Sequence, residues 1–242
     1  MSIFTMIDKF KGRKPSCTAV IVAAGESTRM GADKLFLPLA GIPVLARTLM
    51  QFELCRAVSE IIVVTREDKI VPVADLCKEY GVTKATKILL GGATRVESSA
   101  AGVFQADRHS KLIAISDGAR PLVTPELIES AVEAAKTYRA VTVAVPVKDT
   151  IKTAENGVVT GTPDRDTMFA VQTPQVFEAD IIKGALTKAL RDKLPVTDDC
   201  SAVEALGHPV YLVDGSYENI KITTPEDLSL SEALLAARGV RR

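Results

Sequence analysis

Short runs of Val, Ile, Ala and Thr recur along the chain at residues 19–24, 61–65, 87–90, 112–116 and 141–145. Their apolar positions do not alternate with polar ones, which is the pattern of strands buried on both faces. Between them, residues 44–54, 68–80, 95–106 and 125–137 carry helix-like patterns. This alternation predicts an α/β fold with a Rossmann-like, doubly wound, mainly parallel sheet. Ligands of such sheets bind beyond the carboxyl ends of the strands.

The rhythm changes after Pro146. Residues 149–153 and 157–160 flank the turn residues Ala154-Glu155-Asn156 and predict a hairpin. Residues 168–171 predict another short strand ahead of Thr173-Pro174-Gln175. Helices resume at residues 179–190 and 199–206, followed by a strand at 210–213 and a helix from Pro225. The expected organisation is an extension, residues 1–16, and one domain, residues 17–242. A β-rich arm inserted at about 147–177 is expected to form an oligomer.

Composition narrows the function classes. The 242 residues are 47% hydrophobic and 25% charged, enough for a sizeable core. The 30 basic and 30 acidic side chains cancel, so a polyanion site must arise by local clustering, and neither nucleic acid nor a membrane is an expected partner. The longest apolar runs have strand length, too short to span a bilayer. Residues 1–16 lack the features of a secretory signal. Ile3, Phe4, Ile7 and Phe10 share a helical face near Lys9, Lys11, Arg13 and Lys14, which allows membrane-surface contact. A frayed end or a helix on the protein's own surface is the preferred reading. Cys17, Cys55, Cys77 and Cys200 lack metal-ligand spacing and read as core thiols of a reducing cytoplasm. With only His109 and His208, a histidine metal cluster or catalytic triad is not expected.

The chemistry concentrates in the expected loops. The first strand runs into Val22-Ala23-Ala24-Gly25-Glu26-Ser27-Thr28-Arg29-Met30-Gly31-Ala32-Asp33-Lys34. Its small residues let backbone N–H groups close on a polyphosphate, and Arg29 and Lys34 would neutralise it; a tight turn with solvated charges is the plain alternative. Leu90-Gly91-Gly92-Ala93-Thr94-Arg95-Val96-Glu97-Ser98 allows close approach to a base or ribose, or is simply a turn. In Ser116-Asp117-Gly118-Ala119-Arg120-Pro121, the acid can orient a metal, hold hydroxyls or cap the turn. Thr197-Asp198-Asp199 reads first as a helix cap, and Asn219-Ile220-Lys221 as a short late strand.

Taken in order, these segments form a series: Ala-Ala-Gly…Arg-Met…Lys, Gly-Gly…Arg…Ser, Asp-Gly-Ala-Arg-Pro, Pro-Val-Lys-Asp-Thr, Asp-Arg, Gln-Thr-Pro-Gln, Thr-Asp-Asp and Asn-Ile-Lys. The series resembles the 2-C-methyl-D-erythritol 4-phosphate cytidylyltransferase family from about Cys17 to the C-terminal helix. The resemblance implies a cytoplasmic nucleotidyltransferase joining CTP to this polyol phosphate, with release of pyrophosphate, in non-mevalonate isoprenoid biosynthesis. It implies catalytic roles for Arg29, Lys34 and Lys221 at the triphosphate. Ala23, Ala24, Gly25, Gly92, Arg95, Ser98 and Asp117 match nucleotide-binding positions. Asp117, Arg120, Thr150, Arg165, Thr173 and Thr197 match positions around the polyol phosphate. Mg²⁺ is expected to be bound mainly through the CTP phosphates, with no protein metal ligands, and a homodimer is implied through the arm. The chain departs from many relatives at Ser27, and from some in the short 29–34 spacing and at Ala93.

Four other readings make distinct demands. Nucleotidyltransferases of molybdenum-cofactor synthesis share the opening loop but lack the later series. Ribitol 5-phosphate cytidylyltransferases share most late motifs, yet tend to carry Ala-Gly-Gly in the first loop and a bulkier pair before Arg-Pro. An NAD-dependent oxidoreductase needs Gly-x-Gly-x-x-Gly and an acid ending the second strand, whereas this chain lacks the middle glycine and has Thr65-Arg66. A non-catalytic nucleotide-binding protein would not need Arg29, Lys34 and Lys221 together.

Overall fold

In the computed structural model, which describes residues 17–25 and 33–240, strand β1 (Cys17–Ala23) lies between two parallel neighbours, β4 (Val58–Thr65) and β6 (Leu112–Asp117). β5 (Ala85–Leu90) extends the sheet beyond β4. On the other side β10 (Phe169–Glu178) runs antiparallel between β6 and β7 (Ala140–Pro146), and β11 (Tyr211–Asp214) closes the edge parallel to β7. The order is β11-β7-β10-β6-β1-β4-β5. This is the expected α/β sheet, mostly parallel, with one reversed strand. β2 (Pro38–Leu39) and β3 (Ile42–Pro43) form a small separate pair.

The period-two geometry of the strands sends side chains into two layers. Ala19, Ile21 and Ala23 of β1 pack with Leu45, Leu49 and Phe52 of α1 (Val44–Leu54), Val73 of α2 (Ile70–Glu79), Ile128 and Val132 of α4 (Pro125–Tyr138) and Leu235 of α7 (Pro225–Ala237). Val20, Ile62, Val64 and Ile113 face the opposite layer, with Val103 of α3 (Arg95–Val103), Ile182 and Leu186 of α5 (Ala179–Asp192) and Val203 of α6 (Asp199–Ala205). Gly102 lets α3 lie close on β1, since a Cβ there would stand 2.3 Å from Val20 Cγ1.

Register brings the functional loops to one edge. Ala23 pairs with Thr65, Thr65 with Leu90, and Val22 with Asp117. The loops after β1, β4, β5 and β6 therefore leave the sheet side by side.

Three local expectations change. The hairpin forms from β8 (Thr153–Glu155) and β9 (Val158–Gly161), but it turns at Asn156-Gly157 rather than at 154–156. Both turn residues have positive φ, 50° and 80°, the requirement of a tight two-residue turn. The short strand expected at 168–171 continues through Thr173-Pro174, with an irregular register between Val171 and Gln175, and enters the main sheet. Proline predicts a stop because it lacks an N–H, and the irregularity accommodates it. Within the stretch expected as an arm, β8 and β9 thus stand apart from the main sheet while β10 is one of its central strands. Residues 219–221 form no strand; this loop is tied to the sheet's edge by a bond from Ile222 N to Ala119 O of 2.9 Å.

All four cysteines are buried free thiols, and burial raises Cys17 to about 12 and Cys77 to about 11. Among the described residues no helix is long and apolar enough to cross a membrane. The surface readings of residues 1–16 lie outside the described residues.

Candidate active site

At the carboxyl edge of β1, β4, β5 and β6 a cleft of about 430 Å³ opens. Ala23, Ala24 and Gly25 line it from the first loop, and Gly92, Arg95 and Ser98 from the third. Asp117 stands at its floor, while Lys34 and Lys221 enter from distant parts of the chain. All seven expected nucleotide positions and two of the three expected catalytic cations thus meet in one place. Arg29 lies outside the described residues.

The wall is shaped by backbone constraints. A Cβ on Gly91 would stand 2.6 Å from Ala24 Cβ, so the first and third loops touch only because Gly91 lacks one. The next turn enters α3 through a capping box: Glu97 N donates to Thr94 Oγ1 at 3.2 Å, and Thr94 N donates to Glu97 Oε2 at 2.9 Å. Ser98 Oγ accepts from Gly92 N at 3.2 Å and donates to Thr94 O at 3.0 Å. The serine therefore sets the shape of the Gly-Gly loop.

Asp117 is buried, with three cations around its carboxylate. Lys221 Nζ is 3.1 Å from Oδ2, Arg120 Nε 3.3 Å from the same oxygen, and Arg95 NH2 3.9 Å from Oδ1. Burial alone would raise its pKa, but Lys221, then Arg120 and Arg95, hold it below the usual carboxylate value. The backbone beneath is fixed as well. Asp117 N donates to Thr173 Oγ1 at 3.1 Å, and the Thr173 and Ser116 hydroxyls are 2.9 Å apart.

Lys221 sits on a loop, yet the loop is anchored. Arg120 NH1 donates to Asn219 O at 2.7 Å, and Asn219 Nδ2 donates to Gln172 Oε1 at 3.1 Å and Thr173 O at 2.9 Å. Arg120 and Thr173, expected around the polyol phosphate, are thus buried groups whose named bonds run to the protein itself. Thr150, Arg165 and Thr197, expected at the same substrate, are exposed and do not line the cleft. Arg165 NH1 donates to Lys148 O at 3.2 Å, beside the β8–β9 hairpin.

Sequence reasoning passed over Arg66 as a cleft residue. It follows β4 and lines the cleft, with its guanidinium 2.8 Å from Asp33 Oδ2 and 3.3 Å from Asp68 Oδ1. The signal was its place directly after a strand whose neighbours end at the site. A dinucleotide-binding sheet would put an acid there.

A small-residue wall, a buried acid and several cations at the carboxyl edge of an open α/β sheet define a nucleotidyltransferase-type site. The family described as "IspD: 2-C-methyl-D-erythritol 4-phosphate cytidylyltransferase" matches residues 17–237. The enzyme of that name from Clostridium novyi is 46% identical over 221 residues, covering 90% of this chain and 95% of its own. That from Caldanaerobacter subterraneus is 46% identical over 226 residues, covering 90% and 98%. The crystal structure of 4-diphosphocytidyl-2C-methyl-D-erythritol synthase from Anaerococcus prevotii superposes with a TM-score of 0.82 at 32% identity, covering 93% of this chain and 100% of its own. The chain belongs to the 2-C-methyl-D-erythritol 4-phosphate cytidylyltransferase family.

Proposed function

We propose that this chain transfers the cytidylyl group of CTP to the phosphate of 2-C-methyl-D-erythritol 4-phosphate, a reaction of isoprenoid biosynthesis. A bond forms between an acceptor phosphate oxygen and the α-phosphorus of CTP, and the bond from that phosphorus to the bridging oxygen breaks, so pyrophosphate leaves. The supporting observation is the meeting of Lys34 and Lys221 at one cleft beside the Gly-Gly loop.

The acceptor phosphate has a second pKa of about 6, so it is mostly a dianion at neutral pH. Its oxygen attacks without a general base, in keeping with a cleft that no histidine lines. The barrier is the approach of two anions. Cations placed where charge accumulates lower it, each by about 3 kcal/mol on the scale of single oxyanion contacts. Lys34 and Lys221 fill that role in this reading, together with Arg29. The small-residue wall of Ala23, Ala24 and Gly25 leaves room for a base and ribose, with Gly92 and Ser98 facing them.

Mg²⁺ is assigned to the triphosphate. Its hard oxygen preference suits the phosphate oxygens of CTP. Asp117 is the cleft carboxylate that would add an oxygen to it. When bound, Mg²⁺ neutralises charge on the departing pyrophosphate.

Thr150, Arg165 and Thr197 are assigned to the polyol phosphate, with the arm residues reaching the site of a partner copy. Val158, Val159, Phe169 and Val171 stand exposed on and beside the hairpin, an apolar surface that a second chain would cover in a homodimer. A cytoplasmic location accords with the buried free thiols. The functional test supplies CTP and Mg²⁺ with either methylerythritol phosphate or ribitol phosphate and follows pyrophosphate. Release with methylerythritol phosphate is expected, and release with ribitol phosphate alone would overturn the acceptor assignment.

A further inference from the structure

We infer that Asp199 is a positioning residue for this transfer, acting through Arg95 to tie the loop that carries Thr197 to the nucleotide side of the cleft. The inference rests on the assignment of the cleft to CTP. Asp199 opens α6, and its side chain is 0% exposed, whereas Arg95 opens α3 with its side chain 28% exposed into the cleft. Arg95 NH1 lies 2.7 Å from Asp199 Oδ2, and NH2 of the same guanidinium lies 3.9 Å from Asp117 Oδ1. One arginine therefore spans two buried carboxylates from different elements.

Charge attraction dominates the 2.7 Å contact between Arg95 and Asp199, and Ser99 is a second polar neighbour of the Asp199 carboxylate. Burial still holds the Asp199 pKa above the usual carboxylate value, and Arg95 is the largest influence opposing that rise. The depth of Asp199 is set by the sheet. Gln175 on β10 accepts from Asp199 N at 3.1 Å through Oε1 and donates to Asp198 Oδ2 at 2.7 Å through Nε2.

A packing role alone accounts poorly for this pair. Val103 of α3 and Val203 of α6 already share one apolar layer, and a buried ion pair is commonly replaceable by apolar side chains without loss of stability. What the pair does control is where the Arg95 guanidinium points. Without Asp199, Arg95 would close on Asp117, which already holds Lys221 at 3.1 Å and Arg120 at 3.3 Å. Three cations would then compete for one carboxylate, and the side of Arg95 facing the nucleotide would be lost. Asp199 divides the cations so that Arg95 stays at the nucleotide and Lys221 keeps its place at the reaction centre.

The test compares Asp199→Asn, Arg95→Ala and their double variant by steady-state pyrophosphate release and by thermal unfolding of the whole chain. Asp199→Asn should lower kcat/KM for CTP about tenfold, the scale of losing an outer orienting partner. The double variant should be no slower than Arg95→Ala, within about twofold, because Asp199 has nothing to act on once Arg95 is gone. It should also melt above Arg95→Ala, which leaves a buried charge unpaired. Arg95→Lys keeps the charge but cannot bridge both carboxylates, so it should fold normally and still lose about tenfold in kcat/KM. Losses that multiply in the double variant, or wild-type kinetics in Asp199→Asn or Arg95→Lys, would overturn the inference. A wild-type chain releasing no pyrophosphate would refute the functional reading along with it, whereas an active wild type with those results refutes the positioning role alone.

Discussion

The ammonium of Lys221 lies 3.1 Å from Oδ2 of Asp117, although the two are far apart in sequence. The acid keeps the lysine at the cleft before any triphosphate arrives. Asn219 and Arg120 fix the loop behind it, so little is left to reorganise during reaction. Lys221→Ala should therefore lower kcat by about a hundredfold, the equivalent of about 3 kcal/mol, while the fold persists. Steady-state kinetics together with a melting curve checks this; a near-normal rate would remove Lys221 from the chemistry.

Gly91→Ala addresses the wall of the cleft. The added Cβ would meet Ala24 Cβ at 2.6 Å and Ser98 Oγ at 2.9 Å, so the two nucleotide loops must separate. The expected result is weaker CTP binding by about 1–3 kcal/mol, the usual cost of overpacking, with little change in the circular dichroism spectrum. Titration calorimetry with CTP measures it, and unchanged affinity would mean that the loop contact does not shape the site.

A third prediction concerns the opposite end of the sheet. The Glu60 carboxylate is buried and accepts from Lys87 Nζ at 2.7 Å, Thr18 Oγ1 at 2.8 Å, Thr86 Oγ1 at 2.9 Å and Asp107 N at 2.9 Å. Burial pushes its pKa up, but these donors, Lys87 first, bring it below the ordinary value. A carboxyl lowered in the folded state stabilises fully above its unfolded pKa, about 4.3, and that contribution disappears as pH falls through the folded value. Glu60→Gln should thus cost about 3 kcal/mol at neutral pH and progressively less below about pH 4. Denaturant titrations at both pH values test it; a penalty independent of pH would show that charge is not what Glu60 contributes.

The parallel core was legible because its strands are short apolar runs and its helices follow a helical period. α1 forms over the expected residues 44–54, and α4 begins at Pro125 as expected. The β10 strand was cut short because Pro174 reads locally as a terminator, whereas pairing with β6 and β7 carries the chain past it. The nucleotide side of the site could be read from loop composition at strand ends. Arg66 also stands at a strand end, but its place in the cleft comes from lying beside loops distant in sequence. Likewise Arg120 and Thr173 carry motif-like signals, yet burial turns their polar groups inward, which no linear pattern records.

The hairpin supplies a fourth prediction. Val158 and Val159 are exposed in β9, beside the turn at Asn156-Gly157. If they cover a partner chain, Val159→Asp should shift the elution volume from dimer to monomer and lower activity by depriving each site of the partner's Arg165. Unchanged elution of a wild-type dimer would place the interface elsewhere, and a monomeric wild type would remove the shared site.

Cations remote in sequence are expected to meet one triphosphate. A crystal structure of the chain with Mg²⁺ and a non-hydrolysable CTP analogue measures this directly. The ammonium groups of Lys34 and Lys221 should lie about 2.7–3.0 Å from phosphate oxygens, with the base against Ala23 and Ala24. A triphosphate bound away from both lysines would contradict it.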